Sequence, residues 1–173
     1  MTTHVGLTAR ALGADRFVLI ANDTSPLDRI DDVTARFGGP FETTTAASLR
    51  ALLASFEGSV IHLTMYGLPV QKTMDDIRAT TTPTDDIAII VGAEKVDFDV
   101  YELADWNVAV TNQPHSEVAS LAVCLDRLFE GRCLDATFRN GTHRIRPQAA
   151  GKQVVSSEEG NSQALTKEPT NGE

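Results

Sequence analysis

Four short, nearly continuous apolar runs constrain this chain more than any other feature. They are Arg16 to Ala21 (RFVLIA), Ser59 to Thr64 (SVIHLT), Ile87 to Val91 (IAIIV) and Asn107 to Thr111 (NVAVT). Each is too short to be a core helix, and most lack the apolar–polar alternation of a strand with one wet face. Strands buried on both faces read this way, and such strands belong to parallel sheets covered by helices. The segments between them supply those helices. Pro26 to Phe37 carries Leu27, Ile30, Val33 and Phe37 at helical spacing, with Ser25 available as a cap and Gly38-Gly39 as a stop. Val5 to Leu12, Ala46 to Phe56, Val70 to Arg78 and Ser116 to Phe129 read as further helices, Phe41 to Thr45 as a short strand, and Thr80 to Asp86 as a loop. The order predicts an open α/β sheet of one domain over residues 1–155, with Ile87 to Val91 in its middle.

Composition narrows the setting. The chain has 173 residues, 42% of them hydrophobic, and a net charge of −9. Acid is dominated by Asp (14, against 10 Glu) and base by Arg (11, against 4 Lys). An acidic, Lys-poor surface suits a halophilic cytosol. In concentrated salt counterion release contributes little to nucleic-acid affinity, so this acidity does not exclude an RNA partner. No apolar run is long enough to span a membrane, and the start (Met1-Thr2-Thr3-His4) is not a secretory signal, which predicts a cytoplasmic protein. Cys124 and Cys133 lack metal-site spacing; Cys124 reads as a small buried hydrophobe. Residues 156–173, rich in Ser, Glu, Asn and Gly, read as a disordered acidic tail.

In a sheet of this kind ligands bind beyond the carboxyl ends of the strands. Three segments leave those ends: Leu63 to Gly67, Gly92 to Val96, and Thr111 to Glu117. No GxGxxG, GxxxxGK[ST] or GxSxG motif is present, which removes the usual signatures of dinucleotide, nucleoside-triphosphate and serine-hydrolase chemistry. Taken singly, the polar residues are ordinary. His62 suits a satisfied core histidine, Ser116 a helix cap, Asn112 and Gln113 a turn that bonds itself, and Arg10 a surface charge. Their convergence on one sheet edge points to a nucleoside-type ligand.

The strings HLTMYG (62–67), VGAEKV (91–96), YELADWNVAVTNQPHSEVASLAV (101–123) and THVGLTARALGAD (3–15) resemble the archaeal tRNA (cytidine(56)-2'-O)-methyltransferase family of the SPOUT class. The resemblance covers about residues 2–155. It implies a Rossmann-like, mostly parallel sheet with a C-terminal trefoil knot, a homodimer, and S-adenosylmethionine held by the knot loops. Carried over, the cofactor-binding residues are Leu63; Gly92, Ala93, Glu94, Lys95 and Val96; and Val110, Thr111, Asn112, Gln113, Pro114, His115, Ser116 and Glu117. The implied reaction is methylation of the 2'-hydroxyl of a cytidine in the tRNA T-loop, without a metal. Family members carry a first strand and an Arg-rich stretch before the segment matched by THV. The resemblance therefore predicts a sheet short of its first strand, with Arg10 as a substitute for the arginine that activates the hydroxyl. Asp97 stands where the family has proline. Arg139, Arg144 and Arg146, in a basic cluster with Arg132 and Lys152, are candidates for tRNA phosphate contacts. The alternative at this point is a non-catalytic RNA- or cofactor-binding domain.

Overall fold

A computed structural model describes residues 1–82, 84–92 and 98–156. The alternation expected from the sequence is present: α1 (Thr2–Ala11), β1 (Arg16–Leu19), α2 (Ser25–Phe37), β2 (Glu42–Thr45), α3 (Leu49–Ala54), β3 (Ser59–Pro69), α4 (Val70–Thr80), β4 (Ile87–Val91), α5 (Phe98–Leu103), β5 (Trp106–Ala109) and α6 (Glu117–Leu128). A 3-10 turn (Arg132–Asp135) and an antiparallel hairpin, β6 (His143–Arg146) with β7 (Gln153–Ser156), follow.

The apolar strands pair in parallel, as their two-sided hydrophobicity requires. They form two sheets rather than the single one expected. One holds β4-β3-β5 and the other β1-β2. β4 was expected in the middle of the sheet; the structure makes it an edge, with β3 in the centre. Continuous apolarity reports burial of both faces, not the number of neighbouring strands, and so did not distinguish the two. Four of the five β4 residues are only partly buried.

Both faces of the three-stranded sheet are covered. Ile61, Leu63 and Val108, with Ile87, Ile89 and Val91, meet α1 (Val5, Ala9), α4 (Val70, Met74, Ile77) and α6 (Leu121, Cys124, Leu125, Leu128) in the main core. The intervening positions Val60, Ala88 and Ile90 point the other way, against Leu49 and Leu53 of α3 and Val100 of α5. This period-two division is what a strand's alternating side chains produce. Phe17 of β1 and Ile30 of α2 also join the main core, so one apolar mass links both sheets.

Local details differ from expectation where side chains found better partners. α2 begins at Ser25 with Pro26 in its first turn, and the Ser25 N–H donates to the Asp23 carboxylate at 3.0 Å. Ser25 is therefore the first helical residue, not the cap. α2 stops at Gly38, whose φ of 78° and ψ of −171° suit glycine alone; a Cβ there would lie 2.2 Å from the Arg139 carbonyl oxygen. α3 is shorter than expected but does carry a working cap, Ser48 Oγ accepting from the Ala51 N–H at 3.1 Å. Among the described residues no helix is long and apolar enough to cross a membrane.

Candidate functional site

The registers place the strand ends level. Leu63 of β3 pairs with Val91 of β4 on one side and Val108 of β5 on the other. The segments that follow these three residues therefore leave the sheet side by side. This is the edge that the sequence singled out.

The first segment has a conformation that periodicity did not show. β3 does not end near Thr64. Its pairing with β5 jumps from Leu63↔Val108 to Leu68↔Val108 and Pro69↔Ala109. Thr64, Met65, Tyr66 and Gly67 are thus extruded as a four-residue excursion, after which the strand rejoins the ladder. Gly67 is where the excursion presses on β5: a Cβ there would fall 2.5 Å from the Asn107 carbonyl carbon and 2.6 Å from the Val108 nitrogen. Only a residue without a side chain allows that approach. The Tyr66 N–H turns back to Thr64 Oγ1 at 3.4 Å, and Tyr66 itself is 74% exposed at the tip.

The third segment is bound to the first. Asn112 does not bond its own turn, as the sequence suggested. Its Nδ2 donates to the Met65 carbonyl at 2.7 Å and to the Gly67 carbonyl at 3.0 Å. His115 Nδ1 lies 2.7 Å from the Gln113 carbonyl. A carbonyl only accepts, so Nδ1 carries a proton and, in the neutral ring, Nε2 is left as the acceptor. Ser116 occupies the position before α6, as expected, but its side chain makes no capping bond. Thr111, Asn112, Gln113, Pro114 and Ser116 are exposed; Val110, His115 and Glu117 are half-buried. Of the second segment, Gly92 is half-buried, and Ala93, Glu94, Lys95 and Val96 lie outside the described residues. Leu63 sends its side chain into the core.

Beneath the edge lies a polar network. His62 is 1% exposed, with Nδ1 2.9 Å from Asn107 Oδ1. Asn107 Nδ2 donates to the Tyr101 carbonyl at 2.8 Å, the Tyr101 ring meets His62 edge-on with centroids 4.7 Å apart, and the Tyr101 hydroxyl reaches Thr64 Oγ1 at 3.1 Å. The core-histidine reading of His62 holds. Burial pushes its pKa below the ordinary value, and the bond to Asn107 opposes that in part. Tyr101 and α5 had no helical signal in the sequence beyond six residues.

Arg10 is not the surface charge that its sequence position suggested. It is 6% exposed, donates to the Gly38 carbonyl, and lays its guanidinium 4.8 Å from the centre of the Phe138 ring. Its Nε has no partner, and burial lowers its pKa. These contacts tie α1 to the end of α2 and to the segment after α6. Arg139, Arg144 and Arg146 follow Phe138: Arg139 and Arg144 are exposed, and Arg144 and Arg146 stand two residues apart on β6, hence on one face. Arg132, by contrast, pairs with Glu130 at 2.9 Å. Among the described residues no group of His, Cys, Asp and Glu side chains is arranged to hold a metal ion.

Comparison with known proteins adds identity to this geometry. Residues 37–155 match the family described as "tRNA ribose 2'-O-methyltransferase, aTrm56". The chain is 57% identical to the tRNA (cytidine(56)-2'-O)-methyltransferase of Haloarcula marismortui over 159 residues, covering 92% of this chain and 88% of that protein. It is 48% identical to the protein of the same name from Pyrococcus abyssi, covering 90% and 79% respectively. Among solved structures, the SpoU methyltransferase AviRb of Streptomyces viridochromogenes, in complex with AdoMet, superposes with a TM-score of 0.53 at 14% identity. The match covers 76% of this chain and 54% of AviRb, so this chain spans about half of that protein and shares its fold.

Proposed function

The chain belongs to the tRNA ribose 2'-O-methyltransferase family aTrm56, and on that premise we propose how its strand-end segments carry out the family's reaction. It transfers the methyl group of S-adenosylmethionine to the 2'-hydroxyl of cytidine 56 in the T-loop of tRNA. The single observation that carries this reading into the structure is the shared register of three parallel strands at Leu63, Val91 and Val108, with Asn112 bonding one emerging segment to another. The reading of a non-catalytic binding domain is not favoured.

The edge suits a nucleoside cofactor. Its lining is backbone-rich: Gly92 has no side chain to obstruct an approach, and the exposed stretch from Thr111 to Pro114 offers amide and carbonyl groups for an adenine edge and ribose hydroxyls. We assign cofactor binding to Leu63 through its backbone, to Gly92, Ala93, Glu94, Lys95 and Val96, and to Val110, Thr111, Gln113, Pro114, His115, Ser116 and Glu117. Asn112 belongs to the same segment. When bound, S-adenosylmethionine supplies a methyl group already activated for displacement by its sulfonium. The chain's task would then be to hold the ribose oxygen ~3–3.5 Å from the methyl carbon, in line for displacement, while the hydroxyl proton passes to an acceptor. The hydroxyl that reacts exists on RNA alone, which fixes the substrate class.

Four finer features go with this reading. The segment from Val110 to Ser116 threads through a trefoil knot into α6, supported by its bonds to the Met65 and Gly67 carbonyls inside the β3 excursion. The active form is a homodimer. One further parallel strand completes the sheet between β1 and β4: among the described residues each has a single partner, both are apolar, and Phe17, Ile87 and Ile89 already share one core. Arg139, Arg144 and Arg146 contact tRNA phosphates from the segment after α6.

The test is methyl transfer to unmodified tRNA transcripts in high salt. Transfer to a ribose cytidine at position 56, abolished by a 2'-deoxycytidine there, is the expected result. Cofactor binding without any transfer would favour the binding-domain reading.

A further inference from the structure

We infer that Asn112 is a positioning residue, which sets S-adenosylmethionine affinity by fixing the β3 excursion against the third strand-end segment rather than by contacting the cofactor. The inference rests on the proposed cofactor site and goes beyond it, because the family resemblance by itself gives Asn112 a direct ligand role.

The geometry argues against a direct role for its amide donors. A primary amide has two N–H donors, both on Nδ2. In Asn112 that nitrogen reaches two carbonyl oxygens, Met65 at 2.7 Å and Gly67 at 3.0 Å. Its donor capacity is used within the protein. These two acceptors lie on either side of Tyr66, within the four residues that β3 extrudes between Leu63 and Leu68. The amide therefore bridges across the tip of the excursion. The excursion has two other anchors. Gly67 lies against the Asn107–Val108 backbone with no room for a Cβ, and Thr64 Oγ1 is 3.1 Å from the Tyr101 hydroxyl. Those two fix the excursion to β5 and α5. Asn112 alone among these contacts joins it to the segment after β5.

The consequence is a shared geometry. The segment after β3 and the segment after β5 leave the sheet side by side, since Leu63 and Val108 are register partners. A ligand gripped by backbone groups of both needs them at a fixed separation, and a shift of about 1 Å is enough to lose much of the binding. Asn112 is exposed, so its bonds contribute little to global stability compared with a buried pair. An exposed side chain that makes two short bonds between two segments is better explained by local geometry than by core stability.

The isosteric change Asn112→Asp keeps the shape and replaces the donor with an acceptor facing two carbonyl oxygens. Asn112→Ala removes the bridge without repulsion. Gly67→Ala moves the same excursion from its opposite anchor and leaves the amide intact. Calorimetric binding of S-adenosylhomocysteine to the full chain, thermal melting, and separate KM values for S-adenosylmethionine and tRNA are the readouts. The expected result is a Kd for S-adenosylhomocysteine raised at least 10-fold by Asn112→Asp, with Asn112→Ala and Gly67→Ala in the same direction. KM for S-adenosylmethionine should rise in parallel, while KM for tRNA and the melting temperature of Asn112→Asp change little. Wild-type affinity in a folded Asn112→Asp protein would overturn the inference. So would a lowered melting temperature with unchanged Kd, the mark of a merely structural role. If the wild-type protein binds no S-adenosylhomocysteine, the site reading itself fails, and the two failures are told apart.

Discussion

His62 shows how a single buried side chain makes stability depend on pH. Its ring is enclosed, and burial is the larger of the two influences on its pKa, holding it below the ordinary 6.5. The unfolded chain takes up a proton near 6.5, whereas the folded chain resists until a lower pH. The unfolded state thus binds more protons in that interval, and stability falls as pH drops below about 6.5. Above that value the contribution is fully present. Replacing His62 with Gln removes this titration, so the stability gap between wild type and His62→Gln should narrow from pH 8 to pH 5 in urea titrations. Parallel pH profiles for the two proteins would refute it. Arg10 gives a second case. Its guanidinium stacks on Phe138 and bonds the Gly38 carbonyl while shielded from water. Arg10→Ala loses both contacts, worth about 2–3 kcal/mol together, set against relief of the unpartnered Nε. A lower denaturant midpoint in folded Arg10→Ala is the expected outcome, and an unchanged midpoint would show that the desolvation cost cancels the contacts. The signal for its burial was in the sequence. Val5 and Ala9 mark the inward face of α1, and Arg10 stands four residues after Gly6, whose missing Cβ lets Ile30 approach. Read as a charge it belongs outside; read by helical phase it belongs inside, and the phase decided.

At the scale of elements, the sequence was most legible where apolar spacing was long. Leu121, Cys124, Leu125 and Leu128 recur through about two turns of α6, and all four are buried. It was least legible where an element is four to six residues long and lacks a continuous apolar run. α5, β6 and β7 fall in that range, too short for a period to separate from chance. The excursion in β3 escaped for a different reason. Whether Thr64 to Gly67 continues a strand or bulges from it depends on the register of β5, a partner forty residues away. The candidate site followed the same division. That three segments share an edge was readable from strand polarity, whereas the Asn112 bonds between two of them were not. The demotion of β4 from centre to edge has a measurable consequence. Amides of β3, flanked on both sides by β4 and β5, should exchange with deuterium far more slowly than the amides of β4 that point away from β3. That contrast holds while the proposed further strand is absent; with that strand seated between β1 and β4, protection should be uniform across β4. Gly38 gives a test at the end of an element. Gly38→Ala forces a Cβ into the Arg139 carbonyl at a backbone conformation reserved for glycine, and should cost at least 1–3 kcal/mol of unfolding free energy. An unchanged stability would show that the segment after α6 is free to move away from α2.

The whole molecule carries 24 acidic and 15 basic residues, a net charge of −9, on a chain whose substrate is a polyanion. Two consequences follow at low ionic strength. Self-repulsion weakens the folded state, and general repulsion of tRNA weakens encounter, since at 0.1 M salt both are screened only beyond about 10 Å. Raising salt to 1 M shortens the screening length to about 3 Å and relieves both. For a basic RNA-binding protein the second effect runs the other way, because salt removes the counterion-release gain on which binding depends. This composition thus makes a directional prediction. The melting temperature should rise between 0.1 M and 2 M KCl, and tRNA affinity should fall only weakly, if at all, over the same range. The local cations do not reverse this expectation. Arg139 and Arg144 can meet phosphates, but Arg132 is paired with Glu130, Arg36 with Asp32 and Arg16 with Glu42, so much of the positive charge is already matched within the protein. Each phosphate contact made by an unmatched arginine adds roughly one unit to the salt slope. A charge-removing change at Arg144 (Arg144→Gln) should therefore lower tRNA affinity mostly at low salt and flatten the slope by about one unit, leaving S-adenosylhomocysteine binding untouched. A steep loss of wild-type tRNA binding with salt, of the size seen for proteins that neutralise six or more phosphates, would show that a concentrated basic surface dominates the encounter after all.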